Sequence, residues 1–237
     1  MPRRLHVPTL TPGDIELDPV QAHHARDVLR LRDGQTVEAF DDQGATATAA
    51  LVWRGAQGAA IRVNDVRPPA KPTRRLTVTA AVPKGERADW MVEKLSELGV
   101  DAFIPLATER SVVLPAGRGK HDRWVRIATE SAKQSRRAGV MRIEPLTSIK
   151  DLIERKLPHA WVLSTGPGAV PIREAFNELP TYGDLTLLIG AEGGWTEQEL
   201  ELFRTRGIRA VRLTRTVLRI ETAAIAAAAI IAGYAYG

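Results

Sequence analysis

The chain has 237 residues, enough for one large domain or two modest ones, and its 44% hydrophobic and 26% charged residues are typical of a globular protein. It contains no cysteine, which excludes disulfides, zinc fingers and cysteine nucleophiles. Lysine and arginine number 33 against 28 acidic residues, and the net charge of +5 favours a polyanionic partner such as nucleic acid.

The chain is expected to be cytoplasmic, without a membrane anchor. Its first residues, MPRRLHVPTL, lack the apolar core of a signal peptide. The longest apolar run, 223–232, is far shorter than the roughly 20 residues that cross a bilayer.

Residues 1–70 are predicted to form a small β-rich domain with one helix. QTVEAF, ATATAALV and AAIRVNDV follow the period-two alternation of strands. The helix is predicted to follow Asp18, which can cap it, and Pro19 suits its first position; its apolar side is Val20, Ala25, Val28 and Leu29. RPPAKPTRR (67–75) contains three prolines, which predicts a linker.

Residues 74–237 alternate between strands and helices, which is typical of an α/β domain with a parallel sheet covered by helices on both faces. The predicted strands are LTVTAAV (76–82), VDAFIPL (100–106), AWVLS (160–164), DLTLLIG (184–190) and RAVRL (209–213). The predicted helices lie near 86–98, 120–137, 171–178 and 196–206, with a last one from about 221 to the end. That last helix is apolar almost all round, so we expect it to be buried, with a subunit interface as the hypothesis.

LIGAEGGWTEQE (188–199) is the most informative loop, because parallel sheets bind ligands beyond the carboxyl ends of their strands. Its glycines predict close approach of a ligand or another backbone, and Thr196 and Glu199 match the T-x-x-E pattern of a helix capping box. Glu192 would repel a phosphate, and neither common phosphate-binding glycine pattern is present. A ligand with hydroxyls and a positive charge, such as S-adenosylmethionine, fits better. The alternative is a tight turn with a solvated glutamate.

A second loop, within LTRTVLRIETAAIAAAA (213–229), joins the last predicted strand to the last helix. It holds Arg219, Glu221 and Thr222, and Thr222 or a neighbour can cap the helix. The alternative is an Arg–Glu ion pair that only steadies the helix end.

IGAEGGWTEQEL followed by LTRTVLRIETA resembles the paired C-terminal motifs of the 16S ribosomal RNA uracil-N3 methyltransferases, which belong to the SPOUT superfamily. HHARDVLRLRDGQTV (23–37) resembles their N-terminal PUA-like RNA-binding module, and residues 86–113 and 123–137 resemble their middle motifs. The resemblance implies a PUA-like barrel at 1–70 followed at 74–237 by a trefoil-knotted parallel sheet with helices on both faces. It implies a homodimer that uses S-adenosylmethionine and no metal to methylate N3 of a specific uridine in 16S ribosomal RNA, within the 30S subunit or a late precursor.

By match to the family, the cofactor would lie in three loops, at 164–166, 190–194 and 213–222. The expected cofactor-binding residues are Ser164, Thr165, Gly166, Ile189, Gly190, Glu192, Gly193, Gly194, Leu213, Val217, Leu218, Arg219 and Thr222. Arg219 is expected to stabilise the negative charge on uracil or orient the base, and Glu221 to hold Arg219 or, as the lesser alternative, take the proton.

The target base must be unpaired or extruded, and RNA affinity should come mainly from phosphate contacts. The expected RNA-binding residues are His24, Arg26, Arg30, Arg32, Lys84, Arg110, Arg123, Arg126, Lys133, Gln134, Arg136 and Arg137. KQSRR (133–137) is the strongest cationic cluster. For any single residue, simple solvation of a helix face is an equal alternative.

Three residues depart from the family pattern. Ala191 stands where proline is usual, Thr214 where glycine is usual and Thr216 where arginine is usual, and Arg215 is a candidate to substitute for that arginine. Another SPOUT specificity, such as 2′-O-ribose methylation or a transfer RNA target, is one alternative, and the HHARDVLR-type module argues against it. A catalytically silent RNA-binding assembly factor is the other, and Thr214 and Thr216 keep it open. A dehydrogenase or NTPase is disfavoured because the chain lacks a phosphate loop.

Overall fold

The computed structural model describes residues 2–55, 58–70, 74–115, 117–157 and 159–236, with the backbone alone at 235 and 236. The chain divides into two compact units, one of residues 1–71 with 132–140 and the other of residues 72–131 with 141–237. Residues 71–73 of the predicted linker lie outside the described residues.

The first unit contains a five-stranded sheet in the order β1-β3-β4-β5-β2. The strands are β1 (Arg3–His6), β2 (Gly13–Glu16), β3 (Thr36–Phe40), β4 (Thr46–Arg54) and β5 (Gly58–Val63). β1 pairs parallel to β3, and the other pairs are antiparallel. The three strands predicted in this region are confirmed. β1 and β2 were not predicted, because each has four residues and too few apolar ones to show a period.

The helix of this unit, α1 (Pro19–His23), begins as predicted, since Asp18 Oδ1 accepts from Val20 N at 2.8 Å and Gln21 N at 2.9 Å. It continues as a π-helical turn over His24–Val28. The expected apolar side is wrong in part: Ala25 is buried, but Val20 and Val28 are 76% and 62% exposed. Val28 lies in the π-helical turn, which rotates less per residue than an α-helix, so a pattern read at 3.6 residues per turn fails there. Val20 lies before that turn, and nothing in the structure explains its exposure.

The second unit contains a parallel sheet in the order β11-β13-β10-β12-β6-β7-β8, with β9 paired to β7. The strands are β6 (Leu76–Ala80), β7 (Ala102–Ala107), β8 (Arg142–Ile143), β9 (Thr147–Ser148), β10 (Ala160–Leu163), β11 (Val170–Pro171), β12 (Leu185–Ile189) and β13 (Arg209–Arg212). This confirms the α/β class with a parallel sheet. β8, β9 and β11 have two residues each and carry no period that a sequence could show.

Helices flank this sheet: α2 (Glu86–Glu97), α3 (Arg118–Ser135), α4 (Ile149–Glu154), α5 (Ile172–Asn177), α6 (Glu197–Thr205) and α7 (Ile220–Tyr236). All but the short α4 were predicted. α7 starts at Ile220, so Thr222 lies inside its first turn and is not the cap that was considered for this helix. Ala224, Ala227, Ala228 and Ile231 are buried in this single chain, whereas Thr222, Ala229 and Tyr234 are exposed. In the described residues, no helix combines the length and apolar character needed to cross a bilayer.

Candidate functional site

The expected cofactor loops lie at one edge of the parallel sheet. β13, β10 and β12 are neighbours and run in the same direction. Their carboxyl ends therefore lie side by side, and the loops that follow begin at Ser164, Gly190 and Leu213. Ser164 N donates to Val211 O at 2.9 Å, which joins two of these ends directly. Loops far apart in sequence thus meet at one place.

The three loops enclose a cavity of about 290 Å³. Most of the expected cofactor residues line it: Ser164, Thr165, Ile189, Gly190, Glu192, Gly194, Leu213, Val217 and Leu218. Gly166, Gly193, Arg219 and Thr222 do not line this cavity. The sequence analysis missed the residues that complete the wall: Leu163, Ala191, Trp195, Leu200, Val211, Thr214, Thr216, Ile220 and Ala223. Position in the chain was their signal, because Ala191, Thr214, Thr216 and Ile220 lie within the expected loops and Leu163, Trp195 and Ala223 directly adjoin them.

The loop after β12 is shaped by Trp195. A Cβ on Gly190 would lie 2.9 Å from Trp195 Cε2, so only glycine lets the indole approach the backbone here. The indole Nε1 donates to Leu163 O at 2.9 Å, and the ring packs edge-on against Phe203. Gly194 has a φ of +72°, which glycine adopts without strain. What comes close at Gly190 is therefore a side chain, the Trp195 indole, whereas the pattern predicted a ligand or another backbone.

Two charged side chains hold this loop in place. Arg110 Nη1 donates a hydrogen bond to Gly193 O at 2.6 Å. Arg110 was expected to bind RNA, and in the structure it makes this internal contact. The predicted capping box is confirmed, with Glu199 Oε2 accepting from Thr196 N at 2.8 Å. The other oxygen of Glu199 accepts from Glu109 N at 2.9 Å, which ties the segment after β7 to the start of α6.

Thr214 and Thr216, in the loop after β13, are hydrogen-bonded to each other. Thr214 Oγ1 donates to Thr216 O at 2.8 Å, and the two hydroxyl oxygens lie 3.2 Å apart. Both threonines line the cavity, while Val217 is 80% exposed at its edge. The hydroxyl contacts of the pair close a local turn.

The expected ion pair between Arg219 and Glu221 is not found. Glu221 Oε1 instead lies 3.4 Å from Nη1 of Arg87, and the same nitrogen lies 3.3 Å from Glu192 Oε1. The physical reason is that Glu221 is inside the first turn of α7, which packs against α2, the helix that carries Arg87. Within the described residues Arg219 makes no ion pair, and it is exposed.

Glu221 is a buried carboxylate, with its side chain 5% exposed. Its Oε2 atom is buried and has no hydrogen-bond partner among the described residues. A buried acceptor without a donor is costly, so this oxygen suits a donor from a ligand or water. Arg87 was missed by the sequence analysis. Its signal lies in GER (85–87), just beyond the carboxyl end of β6, the neighbour of β12 in the sheet.

The expected RNA-binding residues fall in both units. In the first unit Arg26 lies 4.2 Å from the Trp53 ring centre, and Arg30 is exposed with a φ of +51°. His24 and Arg137 are half-buried, and Gln134 is exposed. Lys133 donates to Gln21, and Arg136 contacts Glu38 and Pro2, so part of the KQSRR cluster serves internal contacts. In the second unit Lys84 is exposed beside Glu192.

No group of three or more His, Asp or Glu residues able to hold a metal ion occurs in the part of the chain that the structure describes.

A family model described as an RNA methyltransferase domain matches residues 69–232. Ribosomal RNA small subunit methyltransferase E of Bacillus subtilis is 30% identical over 217 residues, which cover 86% of this chain and 83% of that protein. The enzyme of the same name from Neisseria gonorrhoeae, solved bound to S-adenosyl methionine, is 27% identical with a TM-score of 0.84, covering 99% of this chain and 98% of that one. Lpg2936 from Legionella pneumophila, solved with the cofactor SAM, is 25% identical with a TM-score of 0.87 and the same coverage.

Proposed function

The chain belongs to the RNA methyltransferase family, and on this premise we propose that it transfers a methyl group from S-adenosylmethionine to N3 of one uridine in 16S ribosomal RNA. The observation that carries the proposal is the cavity closed by the loops after β10, β12 and β13, with a carboxylate and no phosphate loop. Its relatives named small subunit methyltransferase E support the ribosomal substrate.

The lining of the cavity suits S-adenosylmethionine. Its volume of about 290 Å³ lies at the lower end of ligand pockets, and its apolar walls, which include Leu163, Val211 and Leu218, suit a flat adenine. Ser164 and Thr165 supply hydroxyls, and Glu192 can accept from ribose hydroxyls or attract an amino group. When bound, the cofactor supplies an electrophilic methyl group on a positively charged sulfur.

The residues expected to act on uracil lie beside this cavity. N3 of uracil loses its proton only well above neutral pH, so negative charge on the base must be stabilised by the protein. Arg219, exposed and unpaired among the described residues, stabilises that charge or orients the base. Glu221 is the catalytic carboxylate in the same segment; its contact with Arg87 supports a role in holding a guanidinium.

RNA binding falls mainly to residues 1–70, as a PUA-like barrel, and methyl transfer to residues 74–237. The exposed cations of the two regions hold phosphates, with Arg26 and Arg30 in the first and Lys84 in the second. The substrate is the 30S subunit or a late precursor, in the cytoplasm.

The segment 213–222 passes through a trefoil knot, and two chains associate through α7. The exposed side of this apolar helix supports the association of two chains. Tyr234 lies on that side and stacks on Phe176, with ring centres 4.6 Å apart. Small residues along α7 allow close approach of a neighbouring helix.

The test is methyl transfer from labelled S-adenosylmethionine to 30S subunits that lack the modification, with nucleoside analysis of the product. Label in 3-methyluridine that is lost in Arg219→Ala but kept in Arg204→Ala, an exposed arginine on α6, is the expected result. Label in a 2′-O-methyl nucleoside would change the reaction, and cofactor binding without label would favour a silent RNA-binding factor.

A further inference from the structure

A second cavity adjoins the first at the same edge of the sheet. It measures about 500 Å³ and is lined by Arg87, Glu192, Val217, Leu218 and Arg219. Glu192, Val217 and Leu218 also line the first cavity, so the two cavities share part of their walls. A methyl donor and a methyl acceptor need this adjacency, because the reacting atoms must approach closely.

We propose that this second cavity receives the target pyrimidine, and that Arg87 is a catalytic residue that donates hydrogen bonds to a carbonyl oxygen next to N3. The inference rests on the function proposed above and adds a residue to it. The walls of the second cavity combine apolar side chains, on which a flat base can pack, with two permanent cations, Arg87 and Arg219.

Arg87 is held through one nitrogen only. Both ion-pair contacts, to Glu192 and to Glu221, use Nη1. Among the described residues, Nε and Nη2 have no hydrogen-bond partner, although a guanidinium carries five N–H donors in a rigid plane. The side chain is 35% exposed and lines the second cavity, so these free donors are available to a ligand there.

The buried carboxylate explains why the arginine stays at this place. Removing the partner of a buried charge is strongly unfavourable, so Glu221 keeps the guanidinium from swinging into solvent. Two carboxylates, Glu192 and Glu221, lie near two guanidiniums here, Arg87 and Arg219, and Lys84 is exposed beside Glu192. Ionised uracil adds a negative charge, which an already oriented cation stabilises without reorganisation.

The chemical step balances as follows. The N3–H bond breaks, the proton passes to water or a buffer base, and the electron pair stays on N3 and its two flanking carbonyl oxygens. Donation from Arg87 to one of these oxygens lowers the pKa of N3–H in the bound base. The N3 electron pair then forms the new N–C bond as the carbon–sulfur bond of the methyl donor breaks, and sulfur keeps that pair.

The experiment measures single-turnover methyl transfer to unmodified 30S subunits, from neutral to alkaline pH, for wild type, Arg87→Lys, Arg87→Gln and the control Arg204→Gln. At neutral pH Arg87→Gln should lower the maximal rate about 100-fold, as loss of one charge-stabilising donor typically does, and Arg87→Lys should lower it less. Both deficits should shrink as pH rises past the pKa of uridine N3–H, because the base then ionises without help. Arg204→Gln should match wild type.

Arg87→Lys keeps a cation opposite both carboxylates, so it should fold even if Arg87→Gln, which leaves buried Glu221 unpaired, does not. Thermal unfolding and titration of the cofactor check this. A folded, cofactor-binding Arg87→Lys that methylates at the wild-type rate would overturn the inference. So would a deficit that is constant with pH, which indicates a purely structural role. If wild type makes no 3-methyluridine, the proposed function itself fails, which is a separate readout.

Discussion

Gly190 is a glycine because of its neighbour and not because of its backbone angles. It has no positive φ, yet a Cβ there would meet the Trp195 ring at 2.9 Å. The ring cannot retreat without breaking its bond to Leu163 O. In the same loop Glu192 lines both cavities, and its carboxylate lies beside Arg87.

Gly190→Ala should lower the free energy of unfolding by about 1–3 kcal/mol, as overpacking does, and raise the Kd for S-adenosylmethionine about tenfold. Denaturant unfolding and calorimetric titration measure the two effects. The control is Gly119→Ala in α3, where a new Cβ has open space and helix propensity improves. Equal behaviour of the two variants would contradict the account.

Thr214→Val removes the hydroxyl that donates to Thr216 O while keeping the shape of the side chain. One such hydrogen bond contributes about 0.5–1.5 kcal/mol, so the Kd for the cofactor should rise about 2- to 10-fold if the turn shapes the cavity. Thr205→Val, which removes a hydroxyl bond at the exposed end of α6, should leave the Kd unchanged. An unchanged Kd in Thr214→Val would separate the turn from binding.

At the scale of elements, α6 illustrates what a local pattern contains and what it omits. The T-x-x-E spacing predicts the helix start, because capping involves residues within one turn. The same glutamate is buried. Its second carboxylate oxygen accepts a hydrogen bond from Glu109 N, 90 residues earlier in the chain. The capping box thus also attaches the segment after β7 to the start of α6.

Glu199→Ala should therefore lower the free energy of unfolding by about 1–3 kcal/mol, because it leaves Thr196 N and Glu109 N without their acceptor. Glu197→Ala, in the same first turn but exposed, should cost no more than about 1 kcal/mol. Urea unfolding of the two variants is the measurement. A similar loss in both would mean that only the helix dipole is involved.

The ion pair between Asp14 on β2 and Arg62 on β5 predicts that the stability of the first unit depends on pH. The hydrogen bond from Arg62, assisted by the charges of Arg62 and Arg54, lowers the pKa of Asp14 below its ordinary 3.8. A carboxylate with a lowered pKa stabilises the folded state above its unfolded pKa, and this contribution is lost as pH falls through the folded pKa. Asp14→Asn should lower the melting temperature at neutral pH, and the difference from wild type should disappear below the folded pKa. Asp65→Asn, at an exposed site, should show no such difference.

At the scale of the whole molecule, the proposed function divides between the two units. The cavity proposed for the cofactor is lined by residues of the second unit alone, and Arg30 and Arg32 are exposed on the first. The affinity for RNA depends on salt concentration when it comes from phosphate contacts. The proposed cofactor cavity is enclosed by loops that local hydrogen bonds hold in place, so the two kinds of binding can be tested separately.

Arg30→Gln with Arg32→Gln should weaken RNA binding and reduce the salt slope of the affinity by about one for each lost phosphate contact. The Kd for S-adenosylmethionine should not change. Filter binding at several salt concentrations measures the first and titration the second. Arg62→Gln is the matched control, since Arg62 is committed to Asp14 in the same unit. An unchanged salt slope would place RNA binding elsewhere.

The sequence alone determined the α/β class and the capping box, because these depend on periodicity along the chain and on interactions within a few residues. The three loops that meet at one cavity were expected from the resemblance of their motifs to a known family. Only the tertiary structure decided that Arg87 meets Glu192 and Glu221, which lie 105 and 134 residues away. It also decided that Arg110 supports the glycine loop and that Glu221 pairs with Arg87 and not with Arg219. The physical reason is that these contacts follow from the order of strands in the sheet and from the packing of α7 on α2, which no local pattern encodes.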